Sequence, residues 1–169
     1  VLQCISRLVW HGNQGRAVSL VNDGTVHDVS TYAPRQENPY LWFMHATLES
    51  ENQLDTAEEK MLHVLQSFVT HPVSEETLHD VKASLHDDWS RSVESVTDMM
   101  NELGRGVSMG NWKDCADRRV ALESVRPEDI SAVAKLVFQT RHMTVTRVVP
   151  KKKPAVNKAP TRMNAAPAT

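Results

Sequence analysis

SEETLHDVKASLHDDWSRSVESVTDMMNELG, residues 74–104, carries the longest periodic pattern in the chain. Leu78, Val81, Leu85, Trp89, Val93, Val96, Met100 and Leu103 recur at steps of three and four residues. Side chains spaced this way share one side of an α-helix. Ser74 suits the N-cap, and Glu75 and Glu76 follow where the helix dipole favours acid. The pattern predicts one unbroken amphipathic helix whose apolar side covers a core, with Gly104, Gly106 and Gly110 closing or bending it.

Working outward, residues 55–70 form a second helix on Ala57, Met61, Val64, Leu65 and Phe68, stopped by Pro72. Upstream of it the pattern shortens to a strand's. Residues 16–21, 25–32 and 40–48 each read as a strand. Asn22-Asp23-Gly24 reads as the hairpin turn between the first two. In the third, Trp42, Met44, Ala46 and Leu48 share one face, and Leu41 and Phe43 the other, which predicts a covered strand. An opening helix runs through Leu2, Ile5, Leu8 and Val9 with no capping residue before it, so we expect a further segment upstream. Residues 112–122 read as a short helix, and Pro127 starts another with Ile130, Val133, Ala134 and Val137 facing inward. Residues 143–149 read as a strand rejoining the sheet. The predicted class is α+β, an antiparallel sheet with helices packed on one face.

The chain has 169 residues, a length for one domain, and a net charge of -2. That charge is uneven. Residues 150–169 hold Lys151, Lys152, Lys153, Lys158, Arg162 and no acid, while the remaining 14 basic residues face all 21 acidic ones. We therefore divide the chain into a domain at 1–149 and a disordered Lys/Pro/Ala-rich tail at 150–169. The acidic body offers no case for nucleic acid, and the tail has no aromatic residue to stack bases. No apolar run is long enough to span a bilayer. Cys4 and Cys115 cannot make a disulfide scaffold; they read as buried free thiols, with a single bridge between them left open.

The eight histidines make no helical zinc motif. His-Glu-x-x-His and its inverted forms are absent. His79 and His86 stand two turns apart, about 10 Å, too far to share one ion. His63 and His71 flank the end of the preceding helix, where they complement its dipole. No serine sits in a nucleophile elbow, and the acids beside Cys115 would raise its pKa. From the residues alone, this is an α+β domain without an evident active site.

Four stretches in order resemble the pitrilysin/insulinase family of zinc peptidases. Ser6-Arg7-Leu8 and Gly15-Arg16-Ala17-Val18-Ser19 are similar to its Ser-Arg-Leu helix end and the strand start that follows. Pro72-Val73-Ser74-Glu75-Glu76-Thr77-Leu78, with Val81-Lys82-Ala83, is similar to the start of its long helix. Leu103-Gly104-Arg105 resembles that helix's end. Ser124-Val125-Arg126-Pro127-Glu128-Asp129-Ile130 resembles a late helix, with Arg126 in place of the capping Thr at a cost of about 1 kcal/mol.

The resemblance implies homologous α+β domains, on one chain or two. One binds zinc through an inverted His-x-x-Glu-His and a later glutamate; its partner lacks those ligands and closes the other wall of a chamber. A substrate peptide lies there extended, paired with a sheet edge. By position only Glu51, Glu58 and Glu59 could serve as the later ligand, and they suit a solvated helix start better. The implied reading is a non-catalytic domain, inactive alone and lacking its first strands. It has no metal of its own, and its partner is a homologous catalytic domain or subunit that holds the zinc. Partner domains of the family often carry an Arg before the glycine loop and a Tyr after it for substrate contact. Here His11 and Val18 stand in those places, so His11 and Arg16 are the substitutes expected to bind substrate. Two other family roles stay open: a structural core protein without peptidase activity, and a catalytic domain whose zinc helix lies outside this sequence.

Overall fold

A computed structural model describes residues 1–10, 15–34 and 41–150, without the side chains of Asp114 and Cys115. The elements follow in the order α1 (Leu2–Val9), α2 (Val18–Asn22), β1 (Asp28–Tyr32), β2 (Phe43–Thr47), α3 (Leu54–Thr70), α4 (Glu75–Arg91), α5 (Val96–Ser108), α6 (Asp114–Ser124) and α7 (Pro127–Val137). The class is α+β.

The opening helix α1 is the pivot of the core. Cys4, Ile5, Leu8 and Val9 are buried, and the helix packs against α4, α7 and β1. α3 contributes Ala57, Val64, Leu65 and Phe68 and lies along α7, which contributes Ile130 and Ala134. Phe68, Ile5 and Ile130 are the largest side chains fully removed from water. Each such burial is worth about 1.5–3 kcal/mol.

Among the described residues the sheet has two strands, antiparallel, with Val29 opposite Ala46 and Thr31 opposite Met44. Trp42, Met44, Ala46 and Leu48 pack on the core, as their alternation predicts. Leu41 and Phe43 are exposed instead of covered. Trp42 also packs against Phe138 in a tilted pair, ring centroids 5.1 Å apart.

Four predicted elements differ. Residues 16–21 are not a strand: α2 occupies them, burying Val18 and Leu20. Asp23-Gly24 ends that helix and makes no hairpin. Gly24 takes φ +71°, and Asp23 Oδ1 accepts hydrogen bonds from Thr25 N at 2.9 Å and Thr25 Oγ1 at 2.5 Å. A glycine at positive φ is the usual stop for a helix, and it competes with the hairpin reading of the same dipeptide.

The long helix is two helices. Residues 92–95 interrupt it, and Ser95 caps α5 by accepting from Asp98 N at 3.1 Å. α5 stops at Gly110, φ +79°, where Asn111 N donates to Gly106 O at 2.9 Å and Gly110 N to Val107 O at 3.0 Å. Those two bonds satisfy the last carbonyls of the helix in a Schellman motif. Gly106 is needed where it stands, since a Cβ there would meet Asn111 O at 2.8 Å.

Residues 143–149 join no sheet among the described residues. A strand needs a neighbour for its ladder, and here the segment is tied by Arg147 to Asp55 at 2.7 Å and Glu58 at 2.5 Å on α3. The remaining helix signals hold. Ser74 accepts from Thr77 N at 3.1 Å, and Pro127 is in the first turn of α7. Arg126 does not leave the α7 start bare, because its backbone N–H donates to Asp129 Oδ2 at 2.8 Å. The 150–169 tail lies outside the described residues, apart from Pro150.

Candidate functional site

The feature that gathers most chemistry is a cleft of about 520 Å³ between α1, α4, α6 and β1. Every residue from 29 to 33 lines it. Alternate side chains of a strand point to opposite faces, so a cleft touching five consecutive residues runs along the strand's edge. β2 takes the other edge of β1. The cleft therefore presents the edge of β1 that no strand among the described residues pairs with.

Two hydrogen bonds hold the sheet region against α1. Thr31 Oγ1 donates to Ser6 O at 3.2 Å, and Trp42 Nε1 donates to Ser6 Oγ at 2.8 Å. Across the cleft, Leu85 and Trp89 of α4 and Leu122 of α6 supply apolar surface, and Trp10 also lines it. The charged groups of the rim are engaged with one another. Arg7 pairs with Asp88, which also meets Arg91 at 2.5 Å. Arg118 reaches Glu102 at 3.4 Å, and Arg119 lies over the Trp89 ring at 5.5 Å. His86 shares a hydrogen bond with Glu123, which holds the Glu123 carboxyl below its ordinary range.

An unpaired strand edge beside an apolar wall, with its rim charges matched, suits the main chain of an extended peptide better than a small charged molecule. Ser30 and His45, outward neighbours across the β1–β2 pair, come within 2.7 Å (Oγ to Nδ1). A third group to orient the imidazole is not among the described hydrogen bonds, and a triad needs one.

Arg16 is elsewhere. It borders a second depression of about 500 Å³ between α2 and α3. Its guanidinium donates to Ser67 Oγ at 3.0 Å and to His71 O at 2.8 Å, and lies 4.2 Å from the centre of the Phe68 ring. There it complements the C-terminal end of α3. Burial lowers its pKa. His11, the other expected contact, lies outside the described residues.

Among the described residues no group of three His, Cys, Asp or Glu side chains is placed to hold a metal ion. Glu58 is engaged with Arg147, and Glu51 and Glu59 are exposed. His79 is 83% exposed, with Asp80 at 3.7 Å. Cys4 is a buried free thiol, and burial pushes its pKa up, away from the reactive thiolate. None of the described helices is long and apolar enough to cross a membrane.

No family model and no curated protein matches the sequence significantly. Solved structures do match the fold. One is the inactive peptidase domain of a candidate zinc protease from Bordetella parapertussis. It superposes with a TM-score of 0.83 at 19% identity, over 94% of this chain and 85% of that one. Another is a candidate zinc protease from Bordetella pertussis Tohama I, with a TM-score of 0.77 at 18% identity, over 88% of this chain and 83% of that one. This chain has their fold. The likeness extends over most of both molecules, so it covers the helices of the cleft as well as the sheet.

The cleft itself was not visible in the sequence. Arg7 and Asp88 are far apart along the chain, and so are His86 and Glu123. Only the resemblance, through its extended peptide on a sheet edge, pointed toward such a surface.

Proposed function

We propose that this chain is a non-catalytic, substrate-binding wall of a zinc-dependent metalloendopeptidase of the pitrilysin/insulinase kind. Residues 1–149 form one partial domain of that enzyme and 150–169 its tail. The zinc belongs to a homologous catalytic domain or subunit, and the substrate is a peptide or an unfolded segment. The observation that carries this reading is the likeness to a peptidase domain described as inactive. The free β1 edge supports the substrate part, because it offers an extended chain a ladder of main-chain hydrogen bonds. Trp10 and the apolar side chains of α4 and α6 then lie where substrate side chains would reach. In this reading Arg16 and His11 are secondary: Arg16 holds α2 to α3, and a direct contact from it requires a substrate long enough to leave the cleft.

The test titrates an unstructured peptide into the isotope-labelled chain. Amide shifts should concentrate on residues 29–33, and Trp10→Ala should weaken binding by about tenfold, the effect of losing an aromatic anchor. A second arm adds the zinc-bearing partner. Cleavage should then begin, and a chelator should stop it. Shifts confined to β2, or cleavage that survives the chelator, would overturn the proposal.

A further inference from the structure

α5 turns its apolar stripe to solvent. Val96 is 79% exposed, Met100 67%, Val107 64%, Met99 48% and Leu103 41%. Their three- and four-residue spacing puts them on one side of this 13-residue helix. Of all its residues only Gly106 is buried. Five large apolar side chains so exposed amount to on the order of 500 Å², the size of patch that marks an interaction surface.

We propose that a second copy of this chain covers the stripe, α5 against α5, in an antiparallel pair. The order of residues selects this occupant. Place a two-fold axis between Asn101 and Glu102. Val96 of one copy then meets Val107 of the other, and Met100 meets Leu103. Such reversal symmetry is what an isologous interface needs and what an unrelated partner does not. The charges also permit it. At about 100° per residue, Asp98 and Arg105 lie on the side of the helix opposite the stripe, so pairing strips neither of water. Glu102 is turned inward to Arg118. Thr97 and Ser108, small and uncharged, stand beside the contact. Two such stripes bury about 1,000 Å² together, the lower bound for a specific interface, so the dimer is a weak one, half-formed at roughly tens of micromolar.

Sedimentation equilibrium of the full chain from about 1 to about 200 µM tests this. The mean mass should rise toward twice the monomer's. Met100→Glu and Leu103→Arg should each remain monomeric across the range, with unchanged far-UV circular dichroism. Mixed in equal amounts they should associate again. In the mixed pair the introduced acid faces the introduced base once, and the native methionine faces the native leucine once. A wild-type chain that stays monomeric, a single variant that still dimerises, or a mixture that does not associate would each overturn the proposal.

Discussion

Replacing Ser95 by Ala separates the two accounts of residues 74–104 by the sign of its effect. In the structure Ser95 is the N-cap of α5. Its hydroxyl accepts from Asp98 N at 3.1 Å and donates to Asp98 Oδ2 at 2.6 Å. Losing such a cap costs about 1 kcal/mol. Were the helix continuous, Ser95 would be an interior residue, and Ala would stabilise it by about 0.5 kcal/mol. Global unfolding is a poor reporter, because α5 buries only Gly106 and opens without disturbing the core. Native-state amide exchange reads that opening directly. At 1.4 kcal/mol per factor of ten, the amides of residues 99–103 should exchange about fivefold faster in Ser95→Ala. Ser95→Asp, which keeps a capping oxygen, should leave them close to wild type. Slower exchange in Ser95→Ala would refute the break between α4 and α5.

The core, the turn and the last segment give three further tests. Phe68 is 0% exposed and lies under the Arg16 guanidinium, so Phe68→Ala should lower unfolding stability by about 3–5 kcal/mol in urea, whereas Leu136→Ala, at 65% exposure, should change it by less than about 0.5. Hydrogen bonds from Lys60 and Thr25 hold the Asp23 carboxyl down at about 2, against an ordinary 3.8. A carboxyl lowered in this way stabilises the fold above its unfolded value and ceases to as pH falls through the folded one. The contribution is therefore lost between pH 3.8 and about 2. A carboxyl-carbon NMR titration should find the wild-type midpoint near the lower value and move it upward in Lys60→Gln. Arg147 ties the 143–149 segment to Asp55 and Glu58, so Arg147→Gln should speed proteolytic nicking there and leave the urea midpoint almost unchanged, since exposed ion pairs add little to global stability. Equal nicking rates would show that the ion pairs do not hold the segment.

What the sequence discloses here depends on how local the deciding interaction is. Ser74, Pro72 and Pro127 act within one turn of themselves, and each is found where its neighbours place it. Periodicity also located α3, α7 and the inward face of β2. It failed where a local competitor was hidden inside a longer pattern. Val93 and Val96 keep the helical step across residues 92–95, so the stripe reads as unbroken, although Ser95 with Asp98 three residues on was the capping signal. The same continuity misplaced the purpose of the stripe. Leu78 and Val81 are buried, while Val96, Met100 and Val107 face water on a helix that leans on α6 through its other side. An apolar helix face does not say what it packs on, and only the three-dimensional fold separates the half that meets this chain's core from the half that does not. The cleft is harder still. It exists because, among the described residues, β1 pairs along one edge alone and because Trp42 and Thr31 hold α1 beside the sheet. No residue in it has an unusual neighbour in sequence. A surface made of backbone edge and apolar side chains leaves no motif behind, whereas a metal-binding helix does.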